Sequence, residues 1–364
     1  MRIVAVVLAL VLAGFGPAIW CFTDDTPSPP RKVAVLVSTE KAESREVAFN
    51  AAFWYDTVLT YCTLRKNGFA DEDIYVLYGH GEDGFYFPDG GTQPSDESGA
   101  TASDPGEDYY MPPYCADAAG VGTAARITDF PMIYPATNTG RDGEASRPGD
   151  LLECLAKGCD DPTSDYGTIK PLSKKDFLYV WWKGHGFHPG SDEESVSFQL
   201  PGGTWVTAAE VLGWLAKVRA GRRVLVFETC HSGCLAGTID TADPPGILLA
   251  SSRCGETSSN GYRPLGDVTH GVWTYWVDCN LQGQMPNPPP ENRIKLSDGT
   301  TMKVDLSLGD PLDQVFDQSA TLVGKVTTRK PQTPLKKDEC ELAPLTTINV
   351  GDPVGPAPAP CPRP

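Results

Sequence analysis

The chain is poor in positive charge and in histidine. It carries 30 Lys and Arg against 47 Asp and Glu, a formal net charge of −17, and only 5 His. No basic stripe offers a phosphate footprint, so a nucleic-acid partner is not expected. Metal-site spacing is also missing. Cys154 and Cys159 stand without a second close pair, and neither a metal nor another cofactor is expected. The N-terminal apolar run from Ile3 to Ala13 is short for a membrane crossing. Behind Arg2, and broken by Gly14, Gly16 and Pro17, it reads as the h-region of a secretory signal. Membrane contact is then expected only through an N-terminal anchor, either an uncleaved run or a lipid on Cys21. Trp20 is bulky for the residue before a lipidated cysteine.

What is abundant points outward. The 37 Gly and 33 Pro imply long loops. Eleven cysteines suit an oxidising compartment, so the expectation is a secreted or cell-envelope protein. Setting Cys230 aside as a nucleophile leaves an even number that could pair. Connectivity and oligomeric state are not readable from the sequence.

The expected organisation is a signal peptide over 1–20, a linker over 21–31 and a main domain over 32–282. An extension over 283–330 and a Pro-rich tail over 331–364 follow. Lys32 to Ser38 is a continuous apolar run suited to a buried parallel strand. Glu43 to Asn67 has helical spacing and stops at Gly68, and Ile74 to Tyr78 is the next strand. This β-α-β opening implies an α/β fold with a parallel sheet. From about 79 to 148 the periodicity dissolves into Gly, Asp, Ser, Thr and Pro, which reads as a long loop insertion. Structure resumes with a short helix over 151–157, a strand over 176–183 and a hairpin over 195–200. Thr207 then N-caps a helix, with Glu210 completing a capping box. Strands over 223–228 and 246–251 and helices over 270–282 and 310–325 follow.

Two of these strands end at reactive residues. Phe177-Leu-Tyr-Val-Trp-Trp-Lys-Gly stops at His185-Gly186. Forty-five residues after His185, Arg223-Val-Leu-Val-Phe-Glu-Thr stops at Cys230, followed by His-Ser-Gly233. Buried strands that deliver a His and a Cys are how a sheet builds a thiolate–imidazole pair at its carboxyl edge. A helix starting near Cys230 would favour the thiolate. The N–H groups of Gly186 and Cys230 would hold an oxyanion. A disulfide half or a structural thiol is the bland reading of Cys230. For His185 it is a turn residue, since Gly79-His80-Gly81 repeats the tripeptide in the insertion. His188, His231 and His270 are secondary candidates, and His231 is a poor base because adjacent side chains diverge.

Gly184-His185-Gly186 together with Glu228-Thr-Cys230-His-Ser-Gly233 resembles the caspase-like cysteine peptidases, most of all their legumain and glycosylphosphatidylinositol-transamidase branch. The resemblance spans roughly 32–280, and the Cys-His-Ser-Gly wording is also similar to metacaspases. It implies a three-layer α/β/α sandwich with a mostly parallel central sheet. It further implies a Cys–His dyad acting on a peptide or protein substrate through an acyl-enzyme. An Asn that orients the catalytic His falls at Asn50. A substrate pocket would use Glu228, Ser251, Ser252 and Asp267. The pocket Arg of legumains is absent: Ala52 stands at that position, with Arg45 on the other side. Two acids without a cation would select basic side chains, whereas a cation from elsewhere would select Asn or Asp. Gly184 replaces the family's Asp before the His, which argues against ligase-type side chemistry. The alternative is a catalytically inactive binding protein of the cell envelope on the same fold, or a disulfide-stapled envelope protein.

Overall fold

Apolar runs that do not alternate are buried on both faces, and here they form the centre of one sheet. The computed structural model describes residues 29–39, 51–78, 133–134, 147–160, 168–190, 196–200, 205–239, 246–260, 262, 270–285, 290–326, 332–339, 346 and 348. In chain order the elements are β1 (Lys32–Ser38), α1 (Ala51–Lys66), β2 (Ile74–Tyr78), β3 (Ile133–Tyr134), α2 (Arg147–Lys157), β4 (Cys159–Asp160) and β5 (Thr168–Ile169). Next come β6 (Phe177–Gly184), β7 (Gly186–Phe187), β8 (Ser197–Gln199), β9 (Trp205–Thr207), α3 (Ala208–Lys217), β10 (Arg222–Thr229), α4 (Leu235–Thr238) and β11 (Gly246–Ala250). The last are α5 (Val272–Gln282), β12 (Arg293–Lys295), β13 (Thr301–Lys303), α6 (Leu312–Val326) and β14 (Leu335–Lys337).

The main sheet has seven strands in the order β14-β11-β10-β6-β1-β2-β3. All neighbours are parallel except β14 on β11. Strand order advances one way from β1 to β3 and the other way from β6 to β11. The reversal therefore lies between β1 and β6, where an open sheet of this kind offers its ligand crevice.

Alternate residues of the strands face two separate cores. Leu36, Trp181 and Val226 pack with Val58 of α1, Trp273 and Trp276 of α5 and Leu312 of α6. Val35, Trp182 and Phe227 face the other way, onto Leu155 of α2 and Val211 and Leu215 of α3. The result is the three-layer α/β/α sandwich with a mostly parallel sheet.

Local signals match where they are strong. Gly68 takes φ 81° after α1, the left-handed conformation that ends a helix. Thr207 and Glu210 form the capping box of α3. Three expectations change. The hairpin near 195–200 is part of a three-stranded antiparallel sheet, β7-β8-β9. The Pro-rich tail contributes β14, which pairs with β11 through Leu248↔Lys337 and Ala250↔Leu335. It also buries Ile348 in the core. An exposed β11 edge would otherwise leave its backbone groups unpaired. Finally, Cys279 is a free, buried thiol, so pairing of every cysteine but Cys230 does not hold. The signal, most of the linker and most of the insertion lie outside the described residues, as do Asn50, Arg45, His80 and Asp267. Within the insertion, β3 adds an edge strand beside β2.

Candidate functional site

The register of two central strands sets the site. Strands β6 and β10 are parallel neighbours, with Lys183 opposite Glu228 and Gly184 opposite Thr229. The next residue on each strand is His185 and Cys230. Both strands are buried almost throughout. His185 is exposed and Cys230 half-buried, and the Cys230 thiol is free. The sheet thus carries an imidazole and a thiol to adjacent points of its carboxyl edge, beside the β1–β6 reversal.

Two glycines let the edge close. A Cβ on Gly184 would overlap the Thr39 side chain, and one on Gly186 would overlap the Cys230 carbonyl oxygen. Only a residue without a side chain brings the 186 backbone against Cys230. The His185 ring packs on Phe53 of α1, with centroids 5.8 Å apart. Its carbonyl accepts from Gln199 N–H at 2.9 Å.

Directly after the thiol, His231 adopts φ 61° and ψ 15°, an uncommon conformation outside glycine that turns the chain sharply. Its N–H donates to the Glu256 carbonyl at 2.8 Å. One 3-10 turn, Ser232–Cys234, and the four-residue α4 follow. The helix expected at Cys230 is therefore too short to supply a strong dipole. The turn is braced from below. Ser232 Oγ lies 3.3 Å from both Ser251 Oγ and Ser252 Oγ, and each of these also reaches the Thr229 carbonyl at 3.3 Å. A disulfide joins Cys234 to Cys254. Ser251 and Ser252, expected in a substrate pocket from the family resemblance, are wholly buried and brace the turn that follows Cys230.

The His231 and His188 rings lie close together, 5.7 Å between centroids and tilted by 33°. Burial, and then the charge of His188, push the His231 pKa down. Among the described residues, one group of His, Cys and acid side chains is close enough to share a metal: His188, Cys234 and Cys254. Its two sulfurs are bonded to each other, so the group offers no thiolate.

Behind His185 and Cys230 lies a buried ionic cluster. Lys183 Nζ pairs with Asp56 Oδ2, with Glu228 Oε2 at 3.1 Å and with Asn260 Oδ1 at 3.0 Å. Asp56 also meets His270 Nδ1 at 2.7 Å and accepts from Gly271 N–H at 2.8 Å. Glu228 accepts from Trp273 and Thr274 N–H, both at 3.2 Å, at the start of α5. Burial alone would push the Lys183 pKa down, but Asp56 and Glu228 together hold it above its ordinary value. Burial raises the Glu228 pKa against the pull of Lys183.

This cluster supplies a cation to one of the two expected pocket acids, Glu228; the other, Asp267, lies outside the described residues. Glu228 is buried and has its cation in Lys183, one position ahead of Gly184-His185. His270 belongs to the cluster through Asp56. Sequence reasoning missed Lys183 and Asp56. Asp56 left a signal as a lone charge inside an apolar helix, whereas Lys183 stands at the end of its apolar run and reads as a polar strand end.

No protein-family model matches the chain, and no curated protein matches it. Among solved structures, caspase-1 from Spodoptera frugiperda is similar at 10% identity and a TM-score of 0.40, covering 85% of this chain and 88% of that one.

Proposed function

We propose that the chain is a cysteine peptidase of the caspase-like type, with Cys230 as nucleophile and His185 as general base and acid. The observation that carries the reading is the β6–β10 register. It sets His185 and the free Cys230 thiol on adjacent strand ends at the carboxyl edge of the sheet. The other free thiol among the described residues, Cys279, is buried and held protonated: burial and then Asp278 push its pKa well above the ordinary value.

His185 takes the Cys230 proton, and the thiolate attacks a peptide carbonyl. The N–H groups of Gly186 and Cys230 hold the oxyanion. His185 protonates the leaving amine, then activates water to release the acyl group. The cluster of Lys183, Asp56 and Glu228 fixes the two strand ends. Asn50 and Asp267 keep their proposed roles, as the orienter of His185 and a pocket acid. Ionised Glu228 is matched by Lys183, so cleavage after Asn or Asp is as well founded as cleavage after Arg or Lys. The described disulfides, Cys154–Cys159 and Cys234–Cys254, support a secreted or envelope location.

Hydrolysis of fluorogenic peptides with Arg, Lys, Asn or Asp before the bond tests the reading. Turnover by the wild type that Cys230→Ala abolishes, with folding retained, is the expected result. Equal turnover by Cys230→Ala would sink the assignment. No turnover, and no labelling of Cys230 by an electrophilic peptide, would favour the inactive binding protein.

A further inference from the structure

His185 is joined to a small sheet whose outer face carries two exposed aromatics. Its carbonyl accepts from Gln199 N–H, and Gln199 pairs in turn with Trp205. His185, Gln199 and Trp205 therefore form one cross-strand row, and side chains in such a row share a face. The next row on the same face is Phe187, Ser197 and Thr207. The row between them, Gly186, Phe198 and Val206, points the other way, and Phe198 and Val206 are buried in the core. On the outer face Phe187 is 54% exposed and Trp205 46% exposed. Their rings meet edge to face at 6.0 Å between centroids.

Two exposed aromatic rings in contact make an apolar patch of the kind that marks an interaction site. Its place relative to the chemistry identifies what covers it. In the proposed reaction His185 must face the leaving nitrogen in order to protonate it. The sheet that continues from His185 therefore flanks the departing segment, on the C-terminal side of the scissile bond. Phe187 lies two residues along the chain from His185, roughly 7 Å, and Trp205 two strands across, roughly 10 Å. An extended peptide covers those distances in two to three residues.

We infer that Phe187 and Trp205 form a specificity platform for a bulky apolar side chain two or three residues after the scissile bond. The inference rests on the peptidase reading. The ring pair supplies a preformed, rigid apolar surface, since both residues are held in a three-stranded ladder. A Leu or Phe in the departing segment covers it, while Gly leaves it wet.

The test compares the wild type with Phe187→Ser, Trp205→Ser and the double variant. One substrate set is internally quenched peptides that differ only at the second and third residues after the bond, Leu or Phe against Gly. The other is a short substrate whose fluorophore directly follows the bond, so that no departing peptide exists. The wild type is expected to favour the bulky peptides roughly tenfold in kcat/KM, mostly through KM. The double variant is expected to lose that preference while cleaving the short substrate at the wild-type rate. If Cys230-dependent cleavage of the short substrate persists, two results overturn the platform and leave the peptidase standing. One is no preference in the wild type, and the other is an unchanged preference in the double variant. Absence of Cys230-dependent cleavage of every substrate overturns both readings together.

Discussion

Replacing Lys183 by Met probes the ionic cluster behind the dyad. Methionine keeps most of the volume and removes the ammonium. Asp56 and Glu228 then share a buried site with no cation at Lys183, and both their side chains are buried. Breaking a buried pair from one side costs about 3–5 kcal/mol. At roughly 2–4 °C per kcal/mol for a domain of this size, Tm should fall by about 10 °C. The loss should depend on pH in a defined direction. Burial already raises the Glu228 pKa in the presence of Lys183, and without the ammonium it rises further. An acid whose folded pKa exceeds its unfolded one costs stability while ionised, and the cost fades as pH falls through the folded value toward the unfolded one. The deficit of Lys183→Met should therefore shrink as pH falls from above the raised Glu228 value toward the ordinary carboxylate range. In the wild type the sign differs. The Lys183 pKa is raised above 10.5, so its contribution is complete below that pH and is lost as pH climbs through the higher folded value. Thermal melts of both proteins across pH provide the assay. Equal melting temperatures, or a deficit that does not change with pH, would refute the reasoning.

Gly186→Ala should separate the dyad, because its Cβ overlaps the Cys230 carbonyl oxygen. Labelling of Cys230 by an electrophilic peptide should slow at least about tenfold, a loss of roughly 1.4 kcal/mol of positioning. Native thiol titration near neutral pH should modify Cys230 and spare Cys279, whose thiol burial and Asp278 hold protonated. Denaturant should then expose Cys279, and rapid native reaction there would contradict its placement in the core.

The long apolar strands were legible because buried parallel strands must be apolar on both faces, and β1, β6 and β10 fall within a residue or two of the expected ranges. His185 and Cys230 stood out as the residues where such runs stop. What was not legible depends on register and on partners distant in sequence. Lys183 looks like a polar strand end until β6 and β10 pair it with Glu228. Asp56 is one acid in an apolar helix until the fold sets it against Lys183 and His270. Strand β14 is three residues of Leu and Lys among prolines, too short for any periodicity, and only the open β11 edge explains it. The helix expected at Cys230 failed in the opposite sense: a Ser-Gly turn after a strand looks like a helix start, but the chain takes one 3-10 turn and the four residues of α4 before it leaves the helical conformation.

The central claim is that Cys230 is a nucleophile activated by His185. Its most direct test is mass-spectrometric mapping of a peptide electrophile, with rates for wild type, His185→Ala and Cys230→Ala. The account predicts one adduct per chain, on Cys230, formed at least about a hundredfold more slowly without His185 and absent in Cys230→Ala. An adduct on another residue, or equal rates with and without His185, would contradict it.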